Sequence, residues 1–251
     1  MVLLLFVDLD PHLAALRPLG GFFVLRTPGA ALRSLPTLAE TYREPPSESQ
    51  GDPLGFRVQK VAEALHAPEL RIAASVAQQG LAARLWSVTL GCAALYGRIP
   101  DLDPGLLQWD PDGGAPDDLW LAEVRPLPAD PATVVDVVLQ GHLQPLTDAV
   151  HARYRVAAGL LWGNAGSALA GAARQLDQWA HAGGRTDAAA RARALTAALF
   201  GHPFLAGTGT LTGTAFRRRS CCLYYRLPGG GVCGDCCFTR APRSSPRAPS
   251  G

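Results

Sequence analysis

Arg217-Arg-Arg-Ser-Cys-Cys-Leu-Tyr-Tyr-Arg-Leu-Pro-Gly-Gly-Gly-Val-Cys-Gly-Asp-Cys-Cys237 is the stretch around which the chain is organised. Five of its six cysteines fall between Cys221 and Cys237. Four of them form a spacing with chemical meaning: Cys221 and Cys222 side by side, then ten residues, then Cys233-x-x-Cys236. An isolated cysteine packs as a small apolar residue, but thiols this dense need a chemistry. Cys233-Gly234-Asp235-Cys236 is a chelating turn, with Gly234 relieving the tight backbone. Neighbouring side chains on an extended segment point to opposite faces. Cys221 and Cys222 therefore serve one site only where the backbone turns. Gly229-Gly230-Gly231 lets the chain fold back and bring the two cysteine pairs together.

Three chemistries use such a set: an iron–sulfur cluster, a zinc site or redox disulfides. Zinc ordinarily draws its first pair from Cys-x2–4-Cys, which Cys221-Cys222 does not supply. A disulfide framework suits a small secreted domain, whereas this chain has 251 residues and only Cys92 outside the cluster. Spacing ranks iron–sulfur first, zinc second and redox disulfide third, and leaves all three open.

The segment from Arg219-Ser220-Cys221-Cys222-Leu223-Tyr224-Tyr225-Arg226-Leu227 through Pro228 and the glycines to Cys233-Gly234-Asp235-Cys236 resembles the C-terminal signature of the FhuF-like ferric-siderophore reductases. Leu161-Trp162-Gly163-Asn164-Ala165, followed by residues 168–173, resembles that family's central helix. Arg84-Leu85-Trp86, then Tyr96-Gly97 and Pro100-Asp101, resembles it too. The likeness runs in order over residues 70–237, and the cysteine signature is its specific part. It implies that Cys221, Cys222, Cys233 and Cys236 bind the iron of a [2Fe–2S] cluster. It further implies an oxidoreductase of the ferric-chelate reductase type. Such an enzyme passes one electron to siderophore-bound Fe(III) and releases Fe(II) in the cytoplasm. Cys237 is a fifth thiol where an apolar residue is expected, and the Cys-x-x-Cys spacing selects Cys236 as the ligand. The rival readings are a zinc-stabilised structural or binding protein, and a [2Fe–2S] electron-transfer or sensor protein without a siderophore substrate.

Gly207-x-Gly209 lacks the third glycine and the strand–helix context of a dinucleotide fingerprint. With no nicotinamide or flavin motif, an external electron donor is implied, a ferredoxin or a flavoprotein. Arg217, Arg218, Arg219 and Arg226 make a basic turn that is first a solvated face and second a docking surface for an anionic ferric chelate.

The net charge of +2 argues against a general nucleic-acid binder. The apolar residues 1–7 have no basic segment before them and are closed by Asp8 and Asp10, so they read as a strand or core anchor rather than a signal peptide. The longest uncharged run, between Arg155 and Arg174, is shorter than the roughly 20 residues of a membrane span. No transmembrane segment is expected. Peripheral membrane contact stays open, and a cytoplasmic setting keeps the thiols reduced.

Elsewhere the pattern is helical. Leu81, Leu85, Val88, Cys92 and Leu95 line one face of a long helix, with Cys92 a core residue. A second helix starts at Pro131 and is kinked by Pro145; His142 on its face reads as a hydrogen-bonded residue, not a ligand. Residues 157–180 form a third, striped by Leu161, Ala165, Ala168, Ala172, Leu176 and Trp179. Gly159, Gly163 and Gly166 mark it for close approach by another backbone. That face is expected beside the cysteine loop, with Trp162 and Asn164 walling it. Thr186 is expected to cap a last helix. Residues 21–25 read as a strand, residues 106–109 and 119–124 as a hairpin, and residues 43–56 and 205–213 as loops. The sum is an α+β, mainly α-helical single domain with a small antiparallel sheet and a C-terminal iron–sulfur loop. Its expected divisions are residues 1–214, the cluster-binding segment 215–238 and a disordered tail 239–251.

Overall fold

The structure is a computed structural model, and it describes residues 13–27, 35–43 and 51–242. The apolar residues 1–7 and most of the expected tail lie outside the described residues.

Local sequence sets the element boundaries. Helix α1 (Leu38–Tyr42) opens with a capping box in which Thr37 and Glu40 bond each other's backbone N–H. Helix α2 (Pro53–Ala64) starts at Asp52, whose carboxylate accepts from the Gly55 N–H at 2.9 Å, with Pro53 in the first turn. Of the loop expected over residues 43–56, residues 44–50 lie outside the described residues and residues 53–56 belong to α2. Helix α3 (Leu70–Tyr96) stops at Gly97, which takes a left-handed conformation at φ 64°.

Two small antiparallel pairs follow. Strand β1 (Arg98–Pro100) pairs with β4 (Pro126–Pro128), and β2 (Leu107–Trp109) pairs with β3 (Leu119–Leu121) in the register Leu107↔Leu121. The second pair is the expected hairpin. Helix α4 (Pro131–Val134) runs through a π-helical stretch, Val135–Leu143, into α5 (Gln144–Tyr154). Pro145 has no N–H to give Gly141, and the wider i→i+5 turns of the π-helical stretch lie just before it. His142 is buried, with Nε2 on the Leu102 carbonyl and Nδ1 on the Tyr42 hydroxyl at 2.7 Å. A carbonyl only accepts, so Nε2 carries the proton and Nδ1 accepts from Tyr42.

Helix α6 (Ala158–Ala182) packs along α3, and α7 (Thr186–Phe200) lies against both. Thr186 is the first residue of α7; its side chain makes no cap, and Arg185 holds the cap position. Short α8 (Pro203–Ala206) leads into strand β5 (Gly209–Thr212), which pairs with β6 (Ala215–Arg218). Half of the expected loop at residues 205–213 is thus strand, because β6 supplies the partner that a local reading cannot see.

The predicted face of α3 is in the core: Leu81, Leu85, Val88 and Cys92 are buried and Leu95 half-buried. Burial raises the Cys92 thiol to about 12, so it stays protonated. Arg84 is the exception in this helix, a buried cation. Its Nε donates to Asp118 Oδ1 at 2.8 Å, Nη2 to the Val24 carbonyl at 2.6 Å, and Nη1 to the carbonyls of Gly21 and Phe22. These bonds curl residues Gly21–Phe23 into a 3₁₀ turn, where a strand was expected, and leave only an isolated bridge from Arg26 to Trp120.

Arg84→Met removes the short ion-pair partner of buried Asp118 and leaves it the longer contact to Arg57 at 3.9 Å. Such a break costs about 3–5 kcal/mol, to be read from urea unfolding. The double variant Arg84→Met/Asp118→Leu is expected to regain a large part of it.

Candidate metal centre

The cysteine loop hangs from the β5–β6 hairpin. A two-residue turn at Gly213-Thr214, with Gly213 at φ 61°, closes the hairpin. Buried Phe216 packs on Phe200, with ring centroids 5.2 Å apart. The hairpin lies on the glycine face of α6. A Cβ at Gly163 would meet Ser220 Oγ at 2.2 Å, and one at Gly166 would meet Thr208 Oγ1 at 2.6 Å. Glycine costs about 1 kcal/mol against alanine inside a helix, and this approach is the compensating contact. The third glycine, Gly159, contributes its carbonyl, which accepts from Ser220 Oγ at 3.2 Å.

Past β6 the chain reaches Cys221 and Cys222, and Leu223 turns it sharply at φ 70°. A left-handed leucine is uncommon. Here it supplies the turn that two adjacent cysteines need, and the Leu223 N–H points back to Cys221 Sγ at 3.3 Å. A 3₁₀ turn, Tyr224–Arg226, and the glycines return the chain to Cys233. The chelating turn closes with the Cys236 N–H donating to the Cys233 carbonyl at 3.0 Å.

Both cysteine segments are pinned to the helices. The Arg218 N–H donates to the Asp235 carbonyl at 2.9 Å. The Asp235 carboxylate accepts from Ser167 Oγ at 2.6 Å and pairs with Arg174 at 3.5 Å, both on α6. Ser75 Oγ on α3 donates to the Cys222 carbonyl at 2.9 Å. Buried Asn164 joins these supports. Its Nδ2 lies 2.9–3.0 Å from the Ser75 carbonyl, Ser75 Oγ and Gln78 Oε1, and its Oδ1 accepts from Arg218 Nη2 at 2.6 Å.

One pair of the expected ligand sulfurs is in contact. Cys222 and Cys233 are 3.5 Å apart. Two sulfurs on one tetrahedral metal, each about 2.3 Å from it, would be about 3.8 Å apart. Among the described residues no three His, Cys, Asp or Glu side chains already converge on one point. The Cys222 thiol is pulled down, first by its bond to Cys233 and further by the Tyr224 N–H and the Arg218 charge; Cys233 is pushed up as the partner that keeps the proton. Cys221 is raised to about 11, chiefly by burial. Metal binding needs thiolates, and Cys222 is the most readily ionised of these three. Cys222 is buried, whereas Cys221, Cys233, Cys236 and Cys237 are half-buried. Tyr224, Val232 and Phe238 are exposed around the loop.

The basic residues separate. Arg217 and Arg219 are exposed, with Arg217 Nη2 on the Cys237 carbonyl at 3.4 Å. Arg226 pairs with Glu69 at 2.9 Å and so ties the loop to the start of α3. Arg218 is 2 % exposed. Its expected role in docking substrate is therefore corrected: a side chain under α6 cannot meet a chelate arriving from solvent. Trp162 stacks on Phe204 with centroids 4.4 Å apart, away from the pinning contacts that Asn164 makes. Ser75, Gln78 and Ser167 were not read from the sequence. Their one signal is a polar side chain within an otherwise apolar or small-residue helix.

A helical domain that holds a pinned, half-exposed loop of five thiols is that of an iron–sulfur protein. Residues 218–238 match the FhuF 2Fe-2S C-terminal domain, and residues 78–217 match the family described as ferric iron reductase FhuF-like transporter. The chain belongs to this FhuF-like ferric iron reductase family. The C-terminal match decides among the three cysteine chemistries: the cofactor is a [2Fe–2S] cluster. No curated protein matches the chain. None of the described helices is long and apolar enough to cross a membrane.

Asp235→Ala removes the tether to Ser167 and Arg174 while leaving every thiol in place. Cluster loss under a chelator, followed by visible absorbance, is expected to speed up several-fold, with the helical circular dichroism unchanged.

Proposed function

We propose that the chain is a ferric-siderophore reductase, with Cys221, Cys222, Cys233 and Cys236 as the cluster ligands. The observation that carries this reading is the cysteine loop itself. It is anchored at its base to α3 and α6, and Cys221, Cys233 and Cys236 stay half-buried while Cys222 is buried. When bound there, the [2Fe–2S] group supplies one-electron transfer. The electron comes from a reduced ferredoxin or flavoprotein, and Fe(III) in the chelate becomes Fe(II).

The chemistry of the substrate explains why one electron is enough. Siderophore oxygens hold ferric iron far more tightly than ferrous iron, so reduction releases the metal, in this reading into the cytoplasm. Each tenfold ferric preference lowers the couple by about 59 mV for one electron. Cluster potentials reach about −700 mV, so a low-potential donor can drive the step. The chain's residues need not move a proton. They hold the thiols, keep one edge accessible and attract the substrate. Exposed Arg217 and Arg219 support a docking role for an anionic chelate. Arg226 contributes less, since Glu69 neutralises it.

The test is anaerobic purification, a visible spectrum before and after dithionite, and iron and sulfide analysis. Turnover of a ferric siderophore then follows, with a ferrous-specific chelator as the readout. A red-brown protein that bleaches and releases Fe(II) is expected. A cluster that cycles without releasing Fe(II) would leave only electron transfer or sensing.

Two further outcomes follow from the site. Serine at Cys221, Cys222, Cys233 or Cys236 is expected to abolish or shift the visible spectrum, whereas Cys237→Ser keeps it. Arg217→Ala/Arg219→Ala is expected to raise KM for an anionic ferric chelate by several-fold at low salt with kcat little changed, which is the mark of lost ground-state binding. The difference should shrink at high salt.

A further inference from the structure

Arg218 is a buried cation whose anion is not among its protein neighbours. Its side chain is 2 % exposed. Nη2 donates to Asn164 Oδ1 at 2.6 Å and to the Leu160 carbonyl at 3.2 Å. Its other two nitrogens, Nε and Nη1, are buried and meet no acceptor among the described residues. Asp235, whose main-chain carbonyl accepts from the Arg218 N–H, turns its carboxylate to Ser167 and Arg174 instead. The other buried arginine on α3, Arg84, has a carboxylate and three carbonyls. A guanidinium kept from water without such partners is costly, and its free donors call for an acceptor.

The surroundings say which acceptor. On one side Arg218 holds the backbone of the Cys233–Cys236 turn through Asp235. On the other, its partner Asn164 bonds Ser75, which holds the Cys222 carbonyl. Arg218 is thus tied to both segments that carry the thiols, through its main chain to the Cys233–Cys236 turn and through its guanidinium, Asn164 and Ser75 to Cys222. Gly163 makes room for it: a Cβ there would come within 3.1 Å of Nη2.

We propose that Arg218 sets the reduction potential of the cluster, with the unpaired N–H groups of Nε and Nη1 donating to the sulfur shell and its fixed charge lying beside it. The proposal rests on the reading that this loop holds the [2Fe–2S] group. A thiolate-ligated cluster is an anion and becomes more negative on reduction. A buried cation and N–H···S bonds favour the reduced form and raise the potential. Arg217 and Arg219 carry the same charge but stand in water, which screens them. Arg218 would bring the cluster within reach of the donor, at some cost in driving force toward the chelate. Asn164 would keep the guanidinium aimed.

Redox titration of the holoprotein, followed by visible and electron paramagnetic resonance spectra, tests this in Arg218→Gln, Arg218→Lys and Arg217→Gln/Arg219→Gln. At the wild-type midpoint, Arg218→Gln is expected to show a reduced-to-oxidised ratio about tenfold lower, a shift of about 59 mV. Arg218→Lys should fall between, and the exposed pair should move less. Arg218→Gln with a full cluster and an unmoved potential would overturn the proposal. Because that variant could fail to fold, pulsed resonance on the reduced wild-type protein with ¹⁵N-labelled arginine side chains is the second measurement. A guanidinium nitrogen coupling that survives in Arg217→Gln/Arg219→Gln supports the proposal, and its absence in the wild type sinks it. A wild-type protein that assembles no cluster would be recognised by its lack of colour, and would remove the site reading first.

Discussion

The side-chain amide of Asn164 is the joint on which the centre depends. It is wholly buried on α6. It donates toward Ser75 and Gln78 on α3 and accepts from Arg218 on β6. An amide can satisfy three such partners at once only because it carries both donors and an acceptor. In a low-dielectric interior those bonds are strong when complete and costly when broken. One residue therefore couples the packing of the two longest helices to the position of the cysteine loop.

The loop needs this support because it has little of its own. It has no extended strand and few buried apolar side chains, Leu227 and Cys222 among them. Its shape comes from a left-handed Leu223, a 3₁₀ turn and tethers at Cys222, Asp235 and Arg226. All three tethers lead to α3 or α6. The rigid part of the molecule thus holds the thiols at their base, and the opposite edge stays accessible. A redox cluster asks for that division: thiols held below, and an approach for a reaction partner above. The FhuF-like family match covers both parts, the helical platform and the cysteine segment.

Much of this was legible in the chain. The periodicity of residues 81–95 and 161–179 placed the two helices, and Gly163 and Gly166 announced a close neighbour. Arg218 shows where such reading stops. In sequence it is the middle of three arginines and looks like its neighbours; β6 alternation sends it inward and leaves Arg217 and Arg219 outside. Residues 21–25 failed for a related reason. Their pattern suits a strand, but the fingers of Arg84 on three carbonyls impose a turn. Thr186 looked like a cap and is instead the first residue of its helix.

By itself the sequence marked where the chemistry lies, five thiols in one short span, and ranked a cluster above zinc and disulfides, a choice the family match then settled. It also determined the helical class, because helical periodicity and capping are local properties. Only the tertiary structure decided which polar side chains serve the centre. Ser75, Gln78, Ser167 and Asn164 become partners of the loop through contacts between residues more than fifty positions apart in the chain. A hydrogen bond across that separation leaves no periodic trace, since its partners are chosen by packing and by the need to satisfy every buried polar group.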